Sequence, residues 1–239
     1  MDFILSFKKY LENYKLAFSY SVLFIFLLFV IDPLINIFGG TLNISYNIVN
    51  NSLQGTIILL FTTLVLFFIY SLIQSVLIYK IGTDYKFSAT VPFNKIKKSF
   101  YKVLKFNFAT FLLIFLVSSI FYDLSILNNF ITQFIFLIIT IGLWFVPQIM
   151  ILENEPIPKS ILLSIKYFNR NWFHFITLFI SSFILVMITS LLDVLIKGSA
   201  GIIISTGFFV IFVIPFIEIL KTEIYLNKYN LLKPRHQLK

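Results

Sequence analysis

The sequence predicts an all-α polytopic membrane protein with six transmembrane helices and both termini on the cytoplasmic side. Three observations predict it. The chain is 59% hydrophobic and only 12% charged, where a soluble domain carries roughly 25% charged residues. Its apolar residues gather into six runs of membrane-spanning length. Its basic residues are confined to alternate loops. A chain of 239 residues with this composition cannot place its apolar surface in one water-excluding core, because domains of this size bury only roughly 70% of their surface. Lipid must solvate the rest.

A helix needs about 20 apolar residues to cross the bilayer core. The expected spans are Leu16–Phe38, Leu53–Ile81, Phe106–Phe121, Phe130–Leu152, Trp172–Ile196 and Ile202–Tyr225. The third is the shortest. The first is too long for the apolar region of a signal peptide, and no small-residue cleavage site follows it. Of the 19 Lys and Arg residues, 18 fall in the N-terminal segment, the second and fourth loops and the tail; Lys197 is the exception. By the positive-inside rule those regions are cytoplasmic. Cysteine is absent, so disulfides and thiolate metal sites are excluded. The richness in Lys, Ile, Asn and Phe is that of a low-GC genome, and places the expected protein in a bacterial cytoplasmic membrane.

The stretch VPFNKIKKSFYKVLKF, residues 91–106, mixes lysines with aromatics. On a helix, Phe93, Ile96, Phe100, Val103 and Leu104 form one face. Lys95, Lys98, Lys102 and Lys105 form the other, with Lys97 beside them. Single-stranded nucleic acid would need the aromatics among the lysines for stacking, so nucleic acid is not the expected partner. The segment reads as an interfacial helix on the inner leaflet, drawn to anionic lipids. It is also a candidate docking element for a cytoplasmic protein.

Similar segments precede the first and fifth spans: SFKKYLENY from Ser6, SFYKVLKFN from Ser99 and SIKYFNRNW from Ser164. The return spans also end alike, with PQIMIL from Pro147, PFIEIL from Pro215 and IQSVLI from Ile73, which aligns Gln74 with Gln148. An acid lies near the outer end of each outward span: Asp32, Asp123 and Asp193. The chain therefore reads as one transmembrane domain of three repeats, 1–81, 91–152 and 156–226, each an amphipathic helix followed by a transmembrane hairpin. Residues 227–239 form a basic cytoplasmic tail. Repeats in membrane proteins commonly frame a central site. Mitochondrial carriers also have three two-helix repeats, but there the surface helix lies between the spans and the prolines mark the first of them, so that family does not fit.

Charges within a bilayer are expensive and need a reason. Asp32 directly precedes Pro33, which is ordinary helix-starting chemistry. Asp123 adjoins the polar run SILNNF, and Asp193 stands four residues before Lys197. Alternatively, the three acids ring an outer vestibule that attracts cations. Glu218 lies deeper. It either pairs with Lys221 and snorkels inward or faces the bundle as a functional acid. Pro147 and Pro215 are candidate helix breaks, either simple kinks or openings that free carbonyls. Gln74 and Gln148 are expected to hydrogen-bond between helices, and Ser181, Ser182, Thr189 and Ser190 suit close packing. Trp172 and His174 belong to an interfacial belt. No nucleophile elbow, phosphate loop, dinucleotide loop or metal-ligand spacing is present. Neither enzymatic activity nor a cofactor is expected.

Three features carry a resemblance: the interfacial helix before paired spans, the segment PKSILLSIKYFNRNWFHF from Pro158, and TEIYL from Thr222. Together they resemble the multi-span membrane domain of bacterial glycerophosphodiester phosphodiesterases and its stand-alone relatives. The catalytic barrel of those enzymes is absent, so the resemblance implies an accessory or binding membrane module and not their activity. The six spans and basic first helix are also similar to permease subunits of bacterial ABC exporters, including those giving immunity to peptide antibiotics. That reading implies a separate ATPase docked on the helix at 91–105. A self-sufficient channel or carrier is the third reading.

Overall fold

The computed structural model describes residues 4–15, 18, 53–86, 93–124, 138–196 and 199–227. These residues are helical apart from tight turns, and no strand occurs among them. Helix α1 covers residues 4–15, α2 Leu53–Lys86 and α3 Phe93–Leu124. Residues 138–143 form α4, followed by α5 (Val146–Leu152), α6 (Ile157–Arg170) and α7 (Trp172–Leu195). The last stretch runs from α8 (Ser199–Phe208) through a π-helical turn (Phe209–Val213) into α9 (Ile214–Asn227). Three of these stretches are long and apolar enough to cross a membrane: Asn94–Val117, Trp172–Leu195 and Ile204–Asn227. Phe67–Gly82 and Ile138–Leu152 are shorter apolar helices.

The protein is thus an all-helical chain with membrane-spanning character. The expected span at Leu16–Phe38, apart from Phe18, lies outside the described residues. So do Asp32 and the basic tail.

One difference from the sequence reading concerns residues 91–105. Those that the structure describes, 93–105, are not set apart as a separate helix. From Phe93 the chain continues as one helix to Leu124, because no Gly or Pro interrupts it and every residue retains its backbone donor. Phe100, Val103, Phe106, Asn107, Phe111 and Ile114 form one buried stripe along α3. Phe100 packs edge-on against Phe68 of α2, with ring centroids 4.9 Å apart. At Phe100 and Val103 the apolar face of the basic segment therefore covers protein. Helix α2 reaches closely past α5 at Gly82, where a Cβ would collide with the Leu152 side chain.

At Pro147 a turn divides the helix, whereas at Pro215 the chain stays helical but widens. Residues 144–145 form a turn before α5, which begins with Pro147 in its first turn. Ahead of Pro215, the backbone widens into the π turn Phe209–Val213. Proline lacks the N–H that would bond the carbonyl four residues earlier, which here is Ile211. The Tyr10 hydroxyl donates to that carbonyl at 3.0 Å. Burial raises the Tyr10 phenol above its ordinary value, so it stays protonated and a donor through the neutral range.

Helix α9 is the hub. It contacts α2, α5, α7 and the π turn. From Pro215 to Leu226 every side chain except Ile217 is buried. The largest apolar cluster surrounds it, joining Tyr10, Phe145, Tyr167, Phe175 and Leu178 to Phe216, Ile219, Leu220 and Tyr225. Aromatic edges lock this cluster: Phe145 lies 4.8 Å from Phe175 and 5.0 Å from Tyr167, and Phe168 lies 4.7 Å from Phe175.

Candidate functional site: a buried polar cluster on the central helix

A helix buried all round must satisfy its polar side chains inside the protein. Helix α9 carries Glu218, Lys221 and Glu223, each less than 5% exposed. Glu218 and Lys221 are three residues apart and share a face. The Lys221 ammonium donates to Glu218 Oε1 at 2.7 Å. Taking both charges out of water costs several kcal/mol per ion, roughly, unless further hydrogen bonds compensate. They do so here on the carboxylate. Tyr70 of α2 donates its hydroxyl to Oε1 at 2.9 Å, and Gln148 of α5 donates Nε2 to Oε2 at 3.2 Å. Thr222 donates to the Glu218 main-chain carbonyl at 2.7 Å.

The cluster continues across α2 to α3. Gln74, one turn after Tyr70, points Nε2 at the Tyr70 hydroxyl at 3.5 Å. Asn107 of α3 donates Nδ2 to Gln74 Oε1 at 3.3 Å and to Ser71 Oγ at 2.8 Å. Four helices thus meet through side-chain hydrogen bonds around one ion pair. Two features are incomplete among the described residues. Gln148 Oε1 is buried without a partner. The remaining Lys221 N–H groups meet no acceptor.

Beside the pair lies a cavity of about 170 Å³. Phe67, Phe106, Phe111 and Trp144 supply aromatic walls, while Asn107, Thr110, Thr140 and Lys221 supply polar groups. Pro147 also borders it.

A second polar layer lies nearer the end of α9. Ser6 of α1 donates to the Glu223 carboxylate, and Tyr225 donates to Glu153. Tyr167 of α6 donates to the Ile224 carbonyl at 3.1 Å, in the last helical turn, where carbonyls lack helical partners.

Of the residues singled out in the sequence, Gln74, Gln148 and Glu218 converge on one cluster, with Pro147 at its edge. Pro215 acts separately, through the Ile211 carbonyl. Glu218 does not snorkel to water; its carboxylate faces the bundle while paired. Tyr70, Asn107 and Lys221 complete the cluster and were not singled out as site residues. Tyr70 and Asn107 are marked only by the helix faces on which they lie, and Lys221 by standing three residues from Glu218 on α9 itself. Of the acids of the expected vestibule, Asp193 does not join it. Asp32 lies outside the described residues, and for Asp123 the helical position alone is described. Asp193 is half-exposed near the far end of α7. It lies 18 residues beyond the buried Phe175, about 27 Å along an α-helix.

The lysines divide. Lys95, Lys97, Lys98 and Lys105 are exposed. Lys102 instead donates to Asn154, at 2.7 Å to the side-chain oxygen and 3.3 Å to the carbonyl. Asn154 adopts a left-handed φ of 58° in the turn between α5 and α6, a conformation Asn tolerates better than most residues. Lys102 thereby fastens α3 to that turn. The Ser and Thr residues of α7 also turn inward on their own helix. Ser181, Ser182, Thr189 and Ser190 each donate to the carbonyl four residues earlier.

Among the described residues no group of His, Cys, Asp and Glu could hold a metal ion. No protein family model, curated protein or solved structure matches the chain. The resemblance to the phosphodiesterase-associated membrane domain rests on the quoted segments alone.

Proposed function

We propose that the chain is a six-span, non-enzymatic integral membrane protein with both termini in the cytoplasm. In this reading it is a transport-related module whose binding site lies between its helices. The observation that carries the reading is the Glu218–Lys221 cluster beside a cavity. A purely structural bundle gains little from a desolvated ion pair, since apolar replacement is often neutral or stabilising. Membrane proteins keep such groups where a solute or ion is handled. The three-repeat reading draws support from matching contacts in α1 and α6. Ser6 and Ser164, which open the two segments, are both buried. Asn13 and Asn171 both donate to the carbonyl four residues back.

The exposed Lys95, Lys97, Lys98 and Lys105 favour a second role for α3, as a surface for anionic lipid or for the ATPase of an exporter. A pull-down from native membranes in mild detergent separates these. A stoichiometric ATPase, lost on changing Lys95, Lys97 and Lys98 to Glu, makes the chain a permease subunit. A protein recovered alone or with lipid makes it a stand-alone module. Topology is tested on the naturally cysteine-free chain. Single cysteines at Thr41, Asn128 and Ser199 should react with an impermeant maleimide from outside, and those at Lys97, Lys166 and Gln237 should not. Labelling of Lys97→Cys from outside would overturn the orientation.

A further inference from the structure

We propose that the cavity beside Glu218 and Lys221 binds a small organic monoanion, a carboxylate on an apolar body, and that Glu218 takes up one proton as the anion binds. The transport aspect rests on the preceding reading; the binding and protonation do not. The size is suitable, since an engineered cavity of about 150 Å³ admits benzene and this one is about 170 Å³. Phe67, Phe106, Phe111 and Trp144 would contact the apolar body. Lys221 supplies the charge that selects an anion, because the residue lines the cavity and its ammonium has N–H groups beyond the one given to Glu218 that meet no acceptor among the described residues. The Thr110 and Thr140 hydroxyls, also in the lining, have no hydrogen bond there and are available as further donors.

The proton follows from charge balance. The ion pair has no net charge, so an added monoanion leaves the desolvated site at minus one. Protonating Glu218 restores neutrality, while the Lys221 ammonium turns from Glu218 Oε1 to the ligand. The proton comes from solvent and forms the carboxylic O–H; no other bond is made or broken. The surroundings suit the exchange. Gln148 Oε1 is the buried acceptor without a partner, and rotation of the Gln148 amide turns it towards the new O–H. The groups facing Glu218 are Tyr70 from α2, Gln148 from α5 and Lys221 and Thr222 from its own helix. Helix α7 brings the apolar Phe175, Leu178 and Leu185 to this core. Glu223, on the same helix, is engaged with Ser6. Lys221 is thus the cation that the anion would share with Glu218.

Trp144 makes the test direct. The chain has two tryptophans, so Trp172→Phe leaves the cavity residue as sole reporter. The full-length variant is titrated in detergent with benzoate and benzenesulfonate, and with benzylammonium and benzyl alcohol as cationic and neutral controls. Benzenesulfonate stays anionic throughout, so any proton taken up belongs to the protein. The two anions should change Trp144 fluorescence, with about one proton removed from a weakly buffered solution per anion bound. Affinity should weaken about tenfold per pH unit where Glu218 is ionised. Glu218→Gln should bind both anions without proton uptake and without that pH dependence. Glu218→Gln combined with Lys221→Met removes both charges, avoids an unpaired buried ion, and should bind neither anion. Preference for benzylammonium, absence of anion binding, binding without proton uptake, or anion binding by the double variant would each overturn the proposal. In proteoliposomes, benzenesulfonate flux is read separately. Binding with proton uptake but no flux keeps the site and removes the transport reading.

Discussion

Helix α7 and the helical stretch that ends in α9 are both long and apolar enough to span a membrane, yet they differ in how much of them the protein covers. Only 22% of the apolar stretch of α7 is buried in the protein, against 50% for the stretch ending in α9. Helix α7 shows Phe179, Phe183, Met187 and Leu191 outward and satisfies its hydroxyls on its own backbone. Helix α9 carries two acids and a lysine into the interior and shares them with α1, α2 and α5. In water, hydropathy would decide which helix is central. In lipid it does not, because tails are as apolar as leucine. What distinguishes the central helix is the side chains that lipid cannot satisfy.

The sharpest way to break this comparison is to leave one charge of α9 alone. Lys221→Met keeps much of the side-chain bulk but strands the Glu218 carboxylate. Losing one partner of a buried pair costs about 3–5 kcal/mol. The variant should unfold at much lower temperature or denaturant concentration in detergent. Adding Glu218→Gln should restore most of that loss, and failure to restore it would mean that Lys221 acts through packing instead.

The next effect tests the proline break. Tyr10→Phe leaves the Ile211 carbonyl without its donor, which should cost about 1–3 kcal/mol for a buried group left unsatisfied. In a Pro215→Ala background the new backbone N–H can serve that carbonyl, so the same change should cost clearly less. Equal costs in both backgrounds would remove the proposed capping role of Tyr10.

A smaller effect is expected where two helices share a hydrogen bond without a charge. Asn107→Leu removes the contacts from α3 to Gln74 and Ser71. Interhelical hydrogen bonds within membranes average about 0.6 kcal/mol and reach about 1.7. Equilibrium unfolding should place this variant between those figures, well short of Lys221→Met.

The contrast between the two helices was only partly legible in the sequence. Gln74, Gln148 and Glu218 stood out because polar groups are rare in such runs, and the fold joins them. Lys221 is visible as a partner for Glu218 but counts with the basic residues of the cytoplasmic tail, since its position near a span end does not reveal that α9 is enclosed there. Tyr70 was counted among the apolar residues, although its hydroxyl is what Glu218 uses. Asn107 fell at the boundary between the basic segment and the third span. The continuity of α3 had a signal, namely the absence of Gly or Pro from Phe93 to Leu124, but the change in composition at Phe106 masked it. The π turn had a signal only in Pro215; its place at Phe209–Val213 had none, because that run is as apolar as its flanks.

The smallest effect belongs to α7. Ser190→Ala removes an exposed hydroxyl that bonds only the Val186 carbonyl at 3.1 Å. That carbonyl remains within the regular helix, so no interhelical contact is lost and no buried group is stranded. Alanine also removes a side chain that competes for backbone bonds. The change should stay within about 0.5 kcal/mol, as for surface substitutions remote from special features, and unfolding midpoints of the variant and parent should coincide. A loss approaching that of Asn107→Leu would show that Ser190 meets a partner in the membrane, and that the apolar face of α7 is covered by protein and not by lipid.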